Sequence, residues 1–276
     1  MTAPGAAELP SRLVLLGHPV AHSLSPLFQT AALRHAGLPL TYRALDVAPE
    51  QFDATVTALA EERAGGNVTI PHKGAMFGRC DVVTDAARGV RAVNTFWVSD
   101  GALHGDNTDI GGFDRAVRAI VDPARIKHVT LVGAGGSAAA VAAATARWPG
   151  VTLTIWNRTR NRADALAHSF DHARVEMELS RAVRDADLVV NATPTGLHDD
   201  TMPVALSLVQ PHTALFDLVY HGGGTPWIRA GRDAGHAAAD GLGMLVEQGA
   251  LAFERWTGRA ADRGVMWAAL TPPSRV

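Results

Sequence analysis

Short apolar runs alternate with longer segments of helical character along the whole chain. The runs at 13–16, 128–132 and 151–156 have the length of buried strands, and each precedes a segment with helix-opening residues or helical spacing. Such alternation is typical of α/β proteins whose sheets are largely parallel. One segment differs, because Asp100-Gly101 separates two apolar stretches at the spacing of a β-hairpin. The pattern therefore predicts an α/β fold.

The first series of elements ends near Asp109. Ser25 is expected to act as the N-cap of a helix that has Pro26 in its first turn. A further helix is expected over about 49–62, and another over 111–121 leads out of this half. The strands predicted in this half lie near residues 13–16, 42–46, 67–69, 94–98 and 102–104.

A second series of elements begins with the strand at 128–132. A chain of 276 residues is long enough for two domains. The last long helical segment, from Gly243 to about Trp256, is expected to return to the first domain. The expected domains are residues 1–108 with 241–276, and residues 109–240.

Composition excludes several classes of protein. The formal net charge is −2, with 47% hydrophobic and 19% charged residues, so the chain lacks the basic field of a nucleic-acid binder. Cys80 is the only cysteine and cannot form an internal disulfide, which fits a reducing cytoplasm. Apolar runs stay shorter than the roughly 18 residues that span a membrane. We therefore expect a cytoplasmic protein with a small-molecule substrate, either a monomer or a homodimer.

Lysine is almost absent from the chain. It occurs only at Lys73 and Lys127, and arginine supplies the other cationic side chains. A lysine ammonium can release its proton near neutral pH when it is desolvated or placed beside other charges, whereas a guanidinium cannot. Lys73 ends the segment Asn67-Val68-Thr69-Ile70-Pro71-His72-Lys73, which begins at a predicted strand end. It is therefore a candidate proton-transfer residue.

A glycine-rich turn follows the strand at 128–132. It has the order strand, glycine turn, helix that a dinucleotide-binding fingerprint requires. Gly133 suits the tight turn, Gly135 lets a pyrophosphate approach the backbone, and Ala138 permits close packing of helix on strand. The N–H groups at the start of the helix then face the anion. The turn itself consists of Gly133, Ala134, Gly135, Gly136 and Ser137.

The next strand indicates which dinucleotide is bound. An NAD site has an acid near the end of this strand, which hydrogen-bonds the ribose 2′-hydroxyl. Here the strand ends in Trp156-Asn157-Arg158-Thr159, and Arg162 follows one turn later. Arginine binds phosphate oxygens through paired N–H donors. The segment therefore favours NADP over NAD.

Three segments of the first half carry small polar residues at predicted element ends, namely 22–26, 67–73 and 105–109. Together with Ala92-Val93-Asn94-Thr95, they resemble the substrate-binding signatures of the shikimate dehydrogenase family. The resemblance extends over nearly the whole chain from about Leu13 onward. Further motifs in the family's order are Gly133–Gly136, Asn157-Arg158-Thr159, Asn191-Ala192-Thr193 and Asp240-Gly241-Leu242-Gly243-Met244-Leu245-Val246.

The resemblance implies two domains, a substrate domain and a Rossmann-type NADP domain, with a C-terminal helix that returns to the first. It implies reversible, NADP-dependent reduction of 3-dehydroshikimate to shikimate in aromatic amino-acid biosynthesis. Lys73 and Asp109 would form the catalytic pair, and Ser23 and Ser25, with Tyr220, would hold the substrate carboxylate. The implied substrate-binding residues are Ser23, Ser25, Asn67, Thr69, Lys73, Asn94, Asp109, Tyr220 and Gln248.

The resemblance also implies the cofactor contacts, with Met244 against the nicotinamide. The implied set is Asp85, Gly133, Ala134, Gly135, Gly136, Ser137, Asn157, Arg158, Thr159, Arg162, Thr193, Leu218, Gly241 and Met244. The chemistry agrees with this set, because a ketone that takes hydride develops alkoxide charge that a nearby ammonium can neutralise. No metal is needed, and the histidines lack ligand spacing such as H-E-x-x-H.

The chain departs from the family pattern at three places. Ala139 stands where relatives usually carry an arginine, which removes one expected contact with the cofactor. Gln29-Thr30 replaces a His-Asn pair, and Ile110 replaces a glycine. None of these departures affects Lys73 or Asp109.

Two alternatives remain. A sister enzyme could use quinate or an aminoshikimate, although quinate users tend to carry threonine in place of Ser25 and an acid after the second nucleotide strand. No residue of this sequence excludes an aminoshikimate. A non-catalytic sensor of shikimate-pathway metabolites could keep the fold, but such a protein would not need the lysine, the aspartate and the glycine turn.

Overall fold

The computed structural model describes residues 9–270. These residues divide into two compact units. The first unit contains the described chain up to Thr108 and again from Val246, and the second is Asp109–Leu245. The sequence placed the second boundary before Gly241, whereas the contacts place it after Leu245, within a continuous helix.

The first unit is built on a mixed sheet. Its elements before the second unit are β1 (Leu13–Gly17), α1 (Ser25–His35), β2 (Tyr42–Asp46), a 3-10 turn (Pro49–Gln51), α2 (Phe52–Glu61), β3 (Gly65–Val68), α3 (Lys73–Arg79), β4 (Val82–Val83), α4 (Asp85–Val90), β5 (Thr95–Ser99) and β6 (Ala102–Asp106). Two helices follow the second unit in the chain: α10 (Leu242–Thr257), most of which lies in the first unit, and α11 (Arg263–Leu270). The strand order is β2-β1-β3-β5-β6-β4.

The hairpin between β5 and β6 is the reason this sheet is not fully parallel. β1 runs parallel to β2 and β3, but the β3–β5 and β5–β6 pairs are antiparallel. Asp100 (φ 51°) and Gly101 (φ 77°) form the two-residue turn, and positive φ at both positions is typical of a type I′ hairpin. The predicted hairpin is therefore confirmed, and the remaining pairs, β1–β2, β1–β3 and β4–β6, are parallel as expected.

One face of this sheet packs against a buried apolar cluster. α2 contributes Phe52, Val56 and Leu59 to it, and α3 contributes Met76. The strands add Val14, Leu16, Val68 and Phe96. Farther along the unit, α1 packs against α10 and α11. Gly249 of α10 approaches α1 so closely that a Cβ atom there would lie 2.3 Å from Cε2 of Phe28. The C-terminal helix thus belongs to the first unit, as predicted.

The second unit contains a fully parallel sheet in its described residues. Its elements are α5 (Asp109–Arg118), a 3-10 turn (Pro123–Arg125), β7 (His128–Val132), α6 (Ala138–Thr145), β8 (Thr152–Trp156), α7 (Arg160–Ala167), β9 (Ala173–Val175), α8 (Leu179–Val183), β10 (Leu188–Asn191), a 3-10 turn (Leu206–Leu208), β11 (Ala214–Asp217), α9 (Pro226–Asp233) and β12 (Ala238–Ala239). The order β12-β11-β10-β7-β8-β9 is that of a doubly wound dinucleotide-binding fold.

The central strands of this sheet explain why the glycine turn lies where it does. Residues 188–191 and 214–217 are buried throughout, as expected for parallel strands covered on both faces. The strand order reverses between β7 and β10, and ligands of such folds bind beyond the carboxyl ends of the strands at this point. The glycine turn follows β7, and Asn191-Ala192-Thr193 spans the end of β10.

Three predicted boundaries were wrong in detail. Leu24, not Ser25, occupies the N-cap position of α1, and Ser25 is the first helical residue, whose N–H is bound by Ser23 Oγ at 3.2 Å. The helix predicted over 49–62 is a 3-10 turn followed by α2. α5 begins at Asp109, two residues earlier than predicted, and this acid in the first turn suits the positive end of the helix dipole.

We expect alanine substitutions at two glycines to change stability in opposite directions. A Cβ at Gly101 or Gly78 would meet nothing within 4 Å, so backbone conformation alone decides the sign. Gly101→Ala should destabilise by about 1–2 kcal/mol because its φ is positive, and Gly78→Ala, in helix α3, should stabilise by about 0.5–1 kcal/mol. Urea unfolding of both variants measures this, and changes of the same sign would contradict it.

Candidate active site

In the first unit, a buried tyrosine links two residues of the predicted substrate site. The Tyr42 hydroxyl donates to Asn67 Oδ1 at 2.8 Å and is hydrogen-bonded by the Ser25 side chain. Burial raises the pKa of Tyr42 well above its usual range, and the Ser25 hydrogen bond opposes this only in part. The phenol is therefore a neutral donor at physiological pH, and it holds the start of α1 against the end of β3.

Asn67 faces Thr95 across the β3–β5 pair. Its Nδ2 donates to the Asn94 carbonyl and to Thr95 Oγ1, both at 3.0 Å. Because an amide nitrogen has two hydrogens, both donors of Asn67 are used within the protein. Its Oδ1 accepts from Tyr42 and keeps a second lone pair, so a ligand hydroxyl would act as the donor toward Asn67.

Asn94 connects β5 with the end of β6 and with α10. Its Oδ1 accepts from the Thr108 N–H at 2.7 Å and from Thr95 Oγ1 at 3.0 Å. Its Nδ2 donates to Thr108 Oγ1 at 3.0 Å and to Gln248 Oε1 at 3.4 Å. We name these linked side chains the asparagine network. Its members are Ser25, Tyr42, Asn67, Asn94, Thr95, Thr108 and Gln248.

The network contains residues that sequence reasoning missed. Thr95 directly follows Asn94 in the motif at 92–95, and Thr108 directly precedes Asp109 in the motif at 105–109. Their place in these motifs could have marked them as functional residues. Tyr42 carries no such signal, since a tyrosine at the start of a strand most often fills the core. Its role becomes visible only when β2 and β3 are placed on either side of β1.

Lys73 opens α3 at the same end of the sheet. Its carbonyl accepts from the N–H of Val93, the residue before Asn94, at 2.9 Å, and its side chain is half-buried. Thr69 follows β3, and its N–H donates to Leu16 O at 2.8 Å. The structure thus attaches the backbone of the candidate proton-transfer residue to the segment that leads directly into Asn94 of the network.

Two further predicted residues each open a helix. Asp109 is buried, follows Thr108 directly and opens α5, so the contacts assign it to the second unit. Asp85 opens α4 in the first unit, with a fully exposed side chain 3.9 Å from Arg88. Asp85 is thus placed in the first unit, although it was predicted as a cofactor contact.

In the second unit, the glycine turn is formed as the sequence pattern requires. Gly133 has φ +114°, and a Cβ there would lie 2.9 Å from both the Ala192 carbonyl and Thr193 Cγ2. Gly135 and Gly136 are exposed, and a Cβ at Gly136 would meet nothing within 4 Å. The turn therefore packs against the end of β10 on one side and offers open backbone on the other.

The end of β8 offers unpaired cations and no acid. Asn157 follows this strand, and its Nδ2 closes the turn by donating to Thr159 O at 2.8 Å. Arg158 and Arg162 are exposed and form no ion pair with any residue in 9–270. By contrast, Arg160 pairs with Asp164 at 3.3 Å. Two guanidiniums are therefore available where a 2′-phosphate would be bound.

The remaining predicted cofactor residues follow β10, β11 and β12. Thr193 N–H and Oγ1 donate to Asn191 Oδ1 at 3.0 and 2.6 Å. Gly241 lies against β11, since a Cβ there would be 2.2 Å from Leu218 O. Met244 is buried on the first turn of α10. The structure therefore brings these residues to the carboxyl edge of one sheet.

Tyr220 follows β11 by three residues. It is half-buried, and burial raises its pKa. Asp217, the last residue of β11, was not predicted as functional. Its buried carboxylate accepts from Asn191 Nδ2 at 2.8 Å, Val219 N–H at 3.0 Å and Thr225 Oγ1 at 2.9 Å. A single aspartate in a strand gave no signal for this in the sequence.

Comparison with known proteins agrees with both halves of the chain. Three family models match: the shikimate dehydrogenase substrate binding domain over residues 15–96, shikimate / quinate 5-dehydrogenase over 115–200, and the shikimate 5'-dehydrogenase C-terminal domain over 241–271. A relative named shikimate dehydrogenase (NADP(+)), from Methanopyrus kandleri, is 42% identical over 267 residues, covering 91% of this chain and 92% of the relative.

Solved structures show the same similarity in three dimensions. Shikimate 5-dehydrogenase from Thermus thermophilus, solved in complex with NADP(H) and shikimate, is 40% identical, with a TM-score of 0.86 over 94% of this chain and 97% of that one. Shikimate dehydrogenase from Aquifex aeolicus is 31% identical, with a TM-score of 0.89 over 95% of this chain and 97% of that one. With matches of this extent in sequence and in fold, the chain belongs to the shikimate dehydrogenase family.

Proposed function

We propose that this protein is an NADP-dependent shikimate dehydrogenase, which reversibly reduces 3-dehydroshikimate to shikimate in aromatic amino-acid biosynthesis. The observation that carries the proposal is the asparagine network, which joins four predicted substrate-binding residues from four separate parts of the chain. The relatives' names and the ligands of the Thermus thermophilus structure support it.

The second unit fits an NADP molecule. Its glycine turn offers exposed backbone N–H groups, which suit a pyrophosphate at the start of α6. Arg158 and Arg162 supply charge for a 2′-phosphate, and an acid that would repel this phosphate is absent from the end of β8. Thr193, Leu218, Gly241 and Met244 would line the path to the nicotinamide. When bound, the reduced cofactor supplies the hydride.

The first unit fits a polyhydroxylated carboxylate. Ser23 and Ser25 of this unit would hold the carboxylate through hydroxyl donors, and the resemblance adds Tyr220, which the contacts assign to the second unit. Asn67, Thr69, Asn94 and Gln248 would bind the ring hydroxyls, and most of these side chains are already held by the asparagine network. Fixed polar groups of this kind bind a ligand without first having to be ordered, which favours affinity.

Lys73 and Asp109 would perform the proton chemistry. As the ketone carbon accepts a hydride, its oxygen gains negative charge, and the Lys73 ammonium passes a proton from Nζ to this oxygen. In the reverse direction, the neutral amine takes the hydroxyl proton while the carbon gives up its hydride. Asp109, buried and fixed at the start of α5, would orient the substrate hydroxyl and the lysine.

The setting that we propose for this enzyme is the cytoplasm, with small molecules as its partners and neither nucleic acid nor membrane. Between residues 9 and 270, no helix has the length and apolar character needed to cross a membrane. The net charge of −2 gives no attraction to nucleic acid.

Quinate is the principal alternative substrate, since one matching family model covers both substrates. Ser25 favours shikimate, because quinate users of the family tend to carry threonine there. An aminoshikimate remains a second alternative. A metabolite sensor without activity is the third, and it is disfavoured by the retention of Lys73, Asp109 and the glycine turn.

We expect Lys73→Ala to lower kcat by about a hundredfold to ten-thousandfold, the usual contribution of a positioned proton-transfer group. The assay follows NADP+ reduction at the nicotinamide absorbance, with shikimate and quinate tested side by side. Lys127→Ala is the matched control, since Lys127 is the only other lysine and its Nζ bonds Pro149 O at the surface.

An equal loss of kcat in Lys73→Ala and Lys127→Ala would show that Lys73 takes no part in the proton transfer. A preference of the wild type for quinate would replace the proposed substrate. Tight binding of shikimate and NADP+ without turnover would move the sensor or an aminoshikimate enzyme to first place.

The combined change Arg158→Ala and Arg162→Ala should raise KM for NADP+ by about tenfold or more, because a hydrogen bond to a charged group contributes roughly 1.5–3 kcal/mol. KM for NAD+, which lacks the 2′-phosphate, should change little. Arg160→Ala is the control, since Arg160 is paired with Asp164. An equal rise in KM for NADP+ and for NAD+ would show that the two arginines do not bind the 2′-phosphate.

A further inference from the structure

The second unit contains a buried carboxylate that the proposed chemistry does not use. Asp217 ends β11 with no exposed surface, and residues 9–270 supply three donors to it. Burial raises the pKa of Asp217, while hydrogen bonds from Thr225, Asn191 and Val219 offset this in part. A polar group buried in this way needs a reason, because an apolar side chain would avoid the loss of hydration.

The first hydrogen bond fixes the orientation of an amide. Asn191 Nδ2 donates to Asp217 Oδ1 at 2.8 Å, which directs Asn191 Oδ1 to the opposite side. There it accepts from both the N–H and the hydroxyl of Thr193. The Thr193 methyl then lies against the glycine turn, where a Cβ on Gly133 would be 2.9 Å from it. This series of contacts, which we call the first arm, runs from the Asp217 carboxylate through Asn191 and Thr193 to the proposed pyrophosphate site.

The second hydrogen bond fixes a stretch of backbone. Asp217 Oδ1 also accepts from the Val219 N–H at 3.0 Å, and Val219 lies between Leu218 and Tyr220. The Val219 carbonyl accepts from the Gly241 N–H at 3.0 Å, and Leu218 N–H donates to Asn191 O at 2.9 Å. The other carboxylate oxygen accepts from Thr225, whose hydroxyl caps α9.

We propose that Asp217 is a positioning residue for both ligands: through Asn191 it sets Thr193 for the cofactor, and through the Val219 peptide it sets Leu218 and Tyr220. The identity of these ligands rests on the proposed function. Three donors converge on the Asp217 side chain from different directions, and its two oxygens accept all of them.

The first arm, through Asn191, and the second arm, through the Val219 peptide, can be tested separately by mutation. Asp217→Ala should raise the Kd for NADP+ and KM for shikimate by about tenfold to a hundredfold, the cost of misplacing binding groups by about 1 Å. Asn191→Ala cuts only the first arm, so Kd for NADP+ should rise while KM for shikimate stays near the wild-type value. Asp217→Asn should keep the Kd for NADP+ and the KM for shikimate near their wild-type values, because the amide oxygen can accept two hydrogen bonds and the amide nitrogen can donate to Thr225.

Thr213→Val provides the control for a purely structural effect. Thr213 is fully buried just before the opposite end of β11, and its hydroxyl donates to Ala186 O at 2.7 Å. Its loss should lower the melting temperature without changing Kd or KM. Calorimetric titration with NADP+, steady-state kinetics and thermal unfolding of all four variants complete the experiment.

Two results would overturn the inference. One is an unchanged Kd for NADP+ in Asn191→Ala, which decides the matter even if Asp217→Ala does not fold. The other is a match between Asp217→Ala and Thr213→Val in both stability and affinity. If the wild type binds NADP+ but does not oxidise shikimate, the proposed function fails, whereas the NADP+ affinities still test the first arm.

Discussion

A polar side chain that is buried without a hydrogen-bond partner costs free energy, and this constraint shapes the functional parts of both units. In the first unit, the donors of Asn67 are used fully by protein acceptors, and Asn94 bonds to side chains from β5, the end of β6 and α10. In the second, Asp217 is satisfied from three directions. Groups held in this way present one orientation to a ligand, so the requirement for satisfied burial also produces the preorganisation that binding needs.

The same constraint explains why strand ends carry the site. Inside a parallel sheet, every backbone group is paired and the side chains are apolar, as β10 and β11 show until their last residue. Only beyond that residue do backbone N–H groups and polar side chains become free for other partners. Asn191 and Asp217 occupy this last position on neighbouring strands, so their side chains meet.

Much of this arrangement could be predicted from the sequence. The strands Tyr42–Asp46 and His128–Val132 have the predicted bounds, and the hairpin at Asp100-Gly101 formed because its two residues tolerate positive φ. The glycine turn was recognisable because its chemistry depends on neighbours in the chain. Boundaries failed where capping decides them, as at Ser25, whose N–H is bound by Ser23. Tyr42 and Asp217 escaped prediction because their roles depend on partners distant in sequence, which only the strand order brings near.

The departure at Gln29 lies at the contact between helices α1 and α10. Gln29 is fully buried, and its Nε2 donates to the Gly249 carbonyl at 2.8 Å, beside the place where Phe28 leaves no room for a side chain at Gly249. Gln248, the network member on α10, is the residue directly before Gly249. Phe28, Gln29 and Gly249 therefore pack as one unit, so a substitution at Gln29 would act on the network indirectly, through the helix that carries Gln248.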